Sequence, residues 1–388
     1  MKRISMIAMA AVAGVFATSA QAADFGGDCC ADLEERIAEL EATTARKGNR
    51  KVSLTIYGQV TTAVMFWEAQ SDALGVDESN VYVVDPQTSG TRFGFKGKAK
   101  INSDWSAGYR IELQYQQADA GRVRLDNDEG PDLPEFRQAH WYVKSKTYGQ
   151  LRVGQADMAN SGIAEINLSK ANIADGMSSS QAGASIISQD IGGPGLTNFE
   201  NNRRNTVRYD TPTFAGFKFA AAWGEDDIWD VALRYAGEFG RMKVALGVAY
   251  SENTDGSNVF GQVNDPTVEV VNGTLSVMDT GSGLFATVSA GQRSADDFVD
   301  DESFWFLNSG IEKKFVPLGK TTLFGMVGEF QDDDNDSAYY WGLGAVQQID
   351  AAAMSIFASY RHYDLDDAAN PADEPEFDVF ITGARVKF

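Results

Sequence analysis

Basic side chains recur at every second position of several segments whose intervening residues are apolar. Between residues 92 and 101, for example, Arg92, Lys96 and Lys98 alternate with Phe93 and Phe95. This period of two predicts β-strands with one wet face and one apolar face. Cations held on a wet strand face act electrostatically on charged or dipolar solutes, which is the chemistry of a filter. The candidate basic residues are Arg92, Lys96, Lys98, Arg110, Arg152, Arg204, Arg208 and Arg234.

The longest polar segment, residues 158–203, is acidic. Its candidate residues are Glu165, Asp175, Asp190 and Glu200, against a single lysine, Lys170, before Arg203. If this segment faces the basic strands, a transverse field spans the space between them, orients dipolar solutes and obstructs large apolar ones. Alternatively, the arginines pair with these acids and fix the segment to the strands, and both roles can hold together.

The chain offers little for catalysis or for a cofactor. Its only histidines are His140 and His362, and no nucleophilic serine can be tied to either of them by sequence. We therefore predict that the protein is not an enzyme and uses no cofactor. Acidic runs such as residues 332–334 lack the ligand spacing and glycine of a calcium loop, so a solvated surface is favoured over weak binding of divalent cations such as calcium. Such cations would bridge the acidic runs to anionic lipid headgroups.

The overall charge is strongly acidic, with 33 basic and 55 acidic residues and a net charge of −22. This balance excludes nucleic acid as a partner. The only cysteines, Cys29 and Cys30, are adjacent and precede the first strand, so they cannot link distant parts of a core. Their role stays open.

The first residues indicate export. Lys2 and Arg3 precede an apolar run over residues 4–16, and Ala22 ends a small-residue cleavage motif. An amino-terminal membrane anchor is less favoured because the run is short. We predict a signal peptide over residues 1–22, a periplasmic helical segment over 23–50 and a β-barrel domain over 51–388.

Residues 32–46 are rich in helix-forming residues and lack glycine. Leu33, Ile37, Leu40 and Thr44 have the spacing of a short coiled-coil seam. Two heptads are marginal in water unless they are tethered to partners, for example in a trimer. A solvated, partly frayed linker helix fits the residues equally well. This segment is also a candidate for contact with the cell wall or another periplasmic component.

From Val52 onward the strands alternate with seven tight turns and eight longer polar stretches, which together predict sixteen antiparallel strands. The polar stretches lie near residues 69–89, 119–134, 158–203, 226–228, 252–266, 295–302, 331–337 and 366–375. No stretch after the signal approaches the roughly eighteen apolar residues of a spanning helix.

The fold class that follows is an all-β transmembrane barrel. Its even strand number places both ends of the domain beside the short turns, and a barrel of this size leaves an aqueous channel. The last strand ends on Phe388 and should pair with the first, with Arg385 and Lys387 facing water. A soluble β-sandwich is disfavoured because it would need a second sheet to cover the apolar strand faces.

Several segments resemble those of alphaproteobacterial general porins. The similarity is strongest over residues 32–60 and extends to 91–95, 136–143 and 149–155. The resemblance implies a homotrimer of sixteen-stranded outer-membrane channels that pass small hydrophilic solutes and ions by diffusion. It also implies that the loop after the fifth strand folds inward, and that Phe388 is a signal to the barrel-assembly machinery. A structural or adhesive barrel is the rival interpretation, and conductance in planar bilayers separates the two.

Overall fold

In the part of the chain that the computed structural model describes, seventeen antiparallel β-strands form one sheet that closes on itself. The structure describes residues 52–115, 118–128, 134–176, 181–225, 227–254, 267–295, 301–332, 334–368 and 373–388. The predicted signal peptide, the helical segment and both cysteines lie outside these residues, so those predictions stay predictions.

The strands follow one another around the wall, and from β3 onward each pairs with the next one in sequence. They are β1 (Thr55–Ser71), β2 (Val76–Val84), β3 (Arg92–Lys100), β4 (Trp105–Gln114), β5 (Glu135–Ser145), β6 (Gly149–Asp157), β7 (Arg203–Asp210), β8 (Phe217–Gly224), β9 (Ile228–Phe239), β10 (Met242–Asn253), β11 (Val268–Asp279), β12 (Leu284–Ala295), β13 (Glu302–Val316), β14 (Gly319–Gln331), β15 (Ser337–Ile349), β16 (Met354–Asp366) and β17 (Glu376–Lys387).

The first and last strands close the barrel, as predicted. β1 pairs with β17 from Gln59 opposite Lys387 to Gln70 opposite Glu376. Two further backbone hydrogen bonds join Gly58 and Phe388, from each N–H to the other residue's carbonyl oxygen, at 3.0 and 3.1 Å. No open edge remains at this seam, so the backbone polar groups of both strands are satisfied within the wall.

β2 and β3 together occupy one position in the wall. β2 pairs with the carboxy-terminal part of β1, and β3 pairs with its amino-terminal part. Seventeen strands therefore fill sixteen positions in the wall. The prediction of a loop over residues 69–89 was wrong in its bounds: only residues 72–75 connect β1 to β2. The polar residues 77–80 suggested a loop, but their backbone pairs with β1 and continues the sheet beyond the apolar part of the wall. Pro86, which has no N–H, lies in the interruption between the two strands.

Alternation along each strand separates a lumen face from an outer face. On β3, Phe93 is exposed on the outer face, as is Ile101 just after the strand, and Arg92, Lys96 and Lys98 face the lumen. Exposed aromatic residues are frequent on the outer face, as at the two interfaces of a membrane-spanning wall. They include Tyr115, Trp141, Tyr209, Trp223, Trp229, Trp305 and Trp341.

The connections differ between the two ends of the barrel. The end at which β3 turns into β4 and β5 into β6 has short turns, and we call it the short-turn end. The opposite end, the long-loop end, carries the connection 158–202, which we call the inner loop. The described residues of the inner loop include a 3₁₀ turn (Ala171–Ile173) and a short helix, α1 (Ala184–Asp190). Among the described residues, no helix has the length and apolar character needed to cross a membrane.

The inner loop lies inside the barrel. The Leu168 N–H donates to the Ser276 hydroxyl at 3.0 Å, and the Lys170 N–H donates to the Glu312 carboxylate at 2.8 Å. Glu312 lies on β13 and faces the lumen, nearer to the short-turn end than to the long-loop end. The connection after the fifth wall position therefore folds inward, as the resemblance implied.

Replacing Phe388 with alanine separates a structural role from a signalling role. The side chain packs against Gly58, but the hydrogen bonds between the two residues are made by the backbone. We expect Phe388→Ala to refold in detergent with a melting temperature close to that of the wild type, and to accumulate several-fold less in the outer membrane of expressing cells. Equal loss of refolding and of cellular assembly would contradict a signalling role.

Candidate functional site

The lumen face of β3–β7 carries a continuous basic surface, which we call the basic wall. Register brings Lys96 opposite Arg110 and Arg110 opposite His140. The next row brings Tyr142 opposite Arg152 and Arg152 opposite Arg208. The residues of the basic wall are Arg92, Lys96, Lys98, Arg110, Arg137, Lys144, Arg152, Arg204 and Arg208.

Glu112 is one of the buried acids of the basic wall. Its carboxylate accepts from Arg110 at 2.5 Å and from the Tyr57 hydroxyl at 2.9 Å, and Arg137 lies 3.1 Å away. The Tyr57 ring also lies under the Lys96 ammonium, 5.0 Å from ring centre to Nζ. Two arginines thus share one carboxylate, so this part of the wall keeps a positive excess.

Two cavities border the basic wall. The first, which we call the constriction pocket, has a volume of about 210 Å³ and separates the wall from the inner loop. Its charged lining residues are Arg92, Arg385 and Lys387 on the strands and Glu165 and Asp175 on the inner loop. Arg385 donates to the Ser89 hydroxyl at 2.9 Å, and Arg92 approaches the same oxygen at 3.5 Å. Bases and acids therefore face each other across this pocket, and its lining includes Arg92, Glu165 and Asp175, which the sequence suggested for a constriction.

The second cavity, which we call the basic cavity, extends toward the short-turn end and has a volume of about 410 Å³. Its lining includes four residues predicted at the constriction: Lys96, Lys98, Arg110 and Arg152. They belong to the same wall but to a different cavity, because lumen alternation does not determine depth along a strand.

Arg208 and Arg234 are engaged with the base of the inner loop. Arg208 donates to the Met158 carbonyl at 2.6 Å and forms a bidentate pair with Asp210. Arg234 donates to the carbonyls of Ala159 and Ser161, both at 2.8 Å. These contacts match the alternative in which arginines fix the acidic segment to the wall.

Two carboxylates accept hydrogen bonds from backbone N–H groups at the base of the inner loop. Asp230 accepts from the N–H groups of Ala159 and Asn160 at 3.0 and 2.9 Å. Glu200 accepts from the N–H groups of Gly162 and Ala164 at 2.5 and 2.7 Å. We call Glu200, Arg208, Asp230 and Arg234 the loop clamp. Each clamp residue bonds backbone of the inner loop, so both polar groups of that backbone are satisfied away from water.

Some of the remaining predicted residues line the constriction pocket, and others hold the inner loop in place. Asp190, at the end of α1, pairs with Arg124 of the β4–β5 connection, and Arg124 also donates to Gln189 at 2.5 Å. Asp175 is buried and accepts from Asn167 at 2.9 Å. Arg204 lies on β7, two residues from the lumen-facing Thr206. The structure thus brings Glu165 and Asp175 to the constriction pocket, and it places Asp190 and Glu200 in contacts that hold the loop.

An apolar core fills the opposite side of the lumen. Its wall side is a ladder of mostly stacked aromatic rings, in which the ring centres of Phe330 and Tyr340 lie 6.0 Å apart and those of Tyr340 and Tyr363 lie 5.3 Å apart. Its loop side includes Ile186 and Ile187 of α1, both fully buried. The ladder consists of Phe304, Phe306, Phe330, Tyr340, Tyr363 and Phe377. Burial of these rings stabilises the loop against β13–β17 and leaves the water path along the basic wall.

Sequence alternation missed some members of the site. A β-bulge between Glu112 and Leu113 shifts the pairing of β4 with β5, which lets Arg137 join the lumen face although strict alternation excludes it. Lys144 shares its face with His140 and Tyr142, so alternation along β5 could have identified it. Among the described residues, no group of three or more histidine, cysteine or acidic side chains is placed to hold a metal ion.

Comparisons with known proteins agree on one family. The model of the Gram-negative porin family matches residues 8–368. The major outer membrane protein P.IB of Neisseria sicca is 24% identical over 236 residues, which is 53% of this chain and 60% of that protein. The chain thus aligns with less than two thirds of this relative.

Solved structures show the same fold. An anion-selective porin from Comamonas acidovorans is 16% identical, with a TM-score of 0.59 over 87% of this chain and 100% of the other. The trimer form of OmpT from Vibrio cholerae is 14% identical, with a TM-score of 0.56 over 87% of this chain and 99% of the other.

Removing Asp230 should loosen the inner loop. The residue is fully buried, and Asp230→Ala leaves two buried N–H groups unpaired, at a cost of about 1–3 kcal/mol each. We expect single-channel currents with frequent brief fluctuations instead of one steady level. Asp279→Ala is the matched control, since Asp279 bonds only its own turn and Arg241. A steady wild-type current in Asp230→Ala would show that the clamp does not hold the loop.

Glu200 should make the stability of the loop depend on pH. Burial of the carboxyl group raises the pKa of Glu200 from 4.5 to about 7, although the two N–H donors and Arg234 act in the opposite direction. The folded loop therefore binds the proton more tightly than the open loop does. Its stability falls as the pH rises from 4.5 to about 7 and is level above that.

Hydrogen exchange at the Gly162 and Ala164 amides measures this effect. After correction for intrinsic exchange rates, their protection should decrease across the same pH window. The Glu200→Gln variant should show no such decrease, because glutamine does not titrate. Protection that rises with pH in the wild type would give the opposite sign and refute the assignment.

Proposed function

Because the chain belongs to the Gram-negative porin family, we propose that it forms a water-filled channel for passive diffusion of small hydrophilic solutes and ions. The protein is an outer-membrane β-barrel. Sixteen wall positions support an aqueous lumen, since a barrel of this size cannot be filled by its own side chains. On this assignment the short-turn end faces the periplasm and the long-loop end faces the outside.

The inner loop sets the constriction of this channel. The acids Glu165 and Asp175 face Arg92 and Arg385 across the constriction pocket, so a transverse field crosses the narrowest part of the path. Solutes with a dipole can align with this field, whereas large apolar solutes lose hydration without gaining compensating contacts.

The channel prefers anions over cations. The observation that carries this proposal is the excess of bases over acids on the lumen wall. Glu112 is shared by Arg110 and Arg137, and Asp210 is shared by Arg208 and Lys218, with Arg152 at 3.9 Å. Both of these acids are thus outnumbered, and the path beside them is positive although the whole chain carries a net charge of −22.

Other features complete the proposal. The chain acts as a homotrimer, belongs to the alphaproteobacterial branch of the family, and is inserted by the barrel-assembly machinery, which reads Phe388. Its surface contacts outer-membrane lipid and lipopolysaccharide, and its amino-terminal helix reaches toward the cell wall. The protein works without a cofactor and is not an enzyme, because transport through a fixed, water-filled lumen requires no bond to be made or broken.

Reversal potentials in planar bilayers test the anion preference. In a potassium chloride gradient, we expect the wild-type channel to give the sign of a chloride-selective pore. Replacing both Arg92 and Arg385 with glutamine should shift the reversal potential toward that of potassium, because the constriction pocket then keeps its two acids and loses two of its three bases.

Lys243→Gln provides the matched control. Lys243 pairs with Glu238 at 3.1 Å and lies outside the constriction pocket, so the reversal potential should not change. A wild-type channel that selects potassium would overturn the proposed preference. A folded barrel without conductance would overturn the channel itself and favour a structural or adhesive role.

A further inference from the structure

We propose that the basic cavity is a binding site for small anions that carry two or more negative charges, such as phosphorylated or polycarboxylate solutes. The proposal rests on the proposed function, because the solute must enter through the channel. The site is a second position on the solute's path, separate from the constriction and on its short-turn side.

The residues that line the basic cavity are cationic or neutral. Five bases contribute to it, Lys96, Lys98, Arg110, Lys144 and Arg152, and no acidic residue does. The constriction pocket, in contrast, combines three bases with two acids. A multivalent anion is therefore attracted more strongly to the basic cavity than to the constriction pocket.

The register of the strands forces like charges together. Lys96 stands directly opposite Arg110, and Arg152 stands directly opposite Arg208. Like charges in directly opposite positions of a sheet repel and destabilise the pair. An anion placed between the strands removes this repulsion, and each added negative charge increases the gain.

Acids of the wall neutralise only part of this charge. Arg110 is bound to Glu112, and Arg152 lies 3.9 Å from Asp210. Lys98 and Lys144 have no ion pair in the part of the chain that the structure describes, and both side chains are exposed to the lumen. These two lysines are free to close on a solute from β3 and from β5.

The cavity also offers neutral polar groups and enough room. Tyr142, His140 and Gln150 lie among the bases and can donate or accept hydrogen bonds from a bound oxyanion. The volume of about 410 Å³ lies within the range of small-molecule sites, so a solute the size of a short polyphosphate fits with part of its hydration. A bound anion must also leave again, which exposed lysines permit more readily than buried ones.

Current block by inorganic tripolyphosphate tests the proposal. The probe is added to the short-turn side of single channels in planar bilayers, with chloride as the permeant anion. We expect brief interruptions of the chloride current whose frequency rises with probe concentration. Replacing both Lys98 and Lys144 with glutamine should weaken the block roughly tenfold, because the bound probe then loses its charge pairs with two partly exposed lysines. Lys243→Gln should leave the block unchanged.

The outcomes separate the two proposals. Block that persists in the Lys98→Gln, Lys144→Gln variant but disappears in the Arg92→Gln, Arg385→Gln variant would place the site at the constriction and overturn this inference. An absence of block in a chloride-selective wild-type channel would also overturn it and leave the proposed function intact. Potassium selectivity of the wild type would instead reject the proposed function. Block by the divalent hydrogen phosphate at higher concentration than by tripolyphosphate would support the dependence on charge number.

Discussion

Backbone hydrogen bonding is the constraint on which the rest of the structure depends. A wall that stands in an apolar layer must satisfy every N–H and C=O group from within, which only a closed ladder of strands achieves. Closure between β1 and β17 meets this demand, and it fixes the alternation of outer and lumen faces around the whole barrel. Within the membrane span, the lumen face is then the side of the wall on which arginine and lysine side chains reach water.

The inner loop divides that lumen into two unlike halves. On one side, α1 and its flanking residues cover a ladder of aromatic rings on β13–β17, which behaves as an ordinary hydrophobic core. At the base, the loop clamp supplies charged partners to backbone groups that would otherwise be buried unpaired. Since both kinds of contact hold the loop away from β3–β6, the open path has a basic wall as its permanent boundary.

The extent to which the sequence predicts this arrangement follows from what alternation can encode. The number of wall positions and the closing seam were predicted correctly, and the structure places Lys96 and Lys98 on the lumen face, because a period of two directly reflects which face a side chain takes. Depth along the barrel is not encoded in that period, so residues of two different cavities were assigned to one constriction. The bulge that turns Arg137 inward has no local sequence signal. The aromatic ladder was missed because alternation cannot distinguish a ring that faces lipid from one that faces a folded loop.

The central claim is that ions pass along the basic wall and are excluded from the half of the lumen that the inner loop fills. Anomalous X-ray scattering from crystals soaked in rubidium bromide locates both ions in one experiment. The account predicts bromide in the constriction pocket and in the basic cavity, and no ion between α1 and the aromatic ladder. Rubidium along the basic wall, or bromide spread evenly around the lumen, would contradict it.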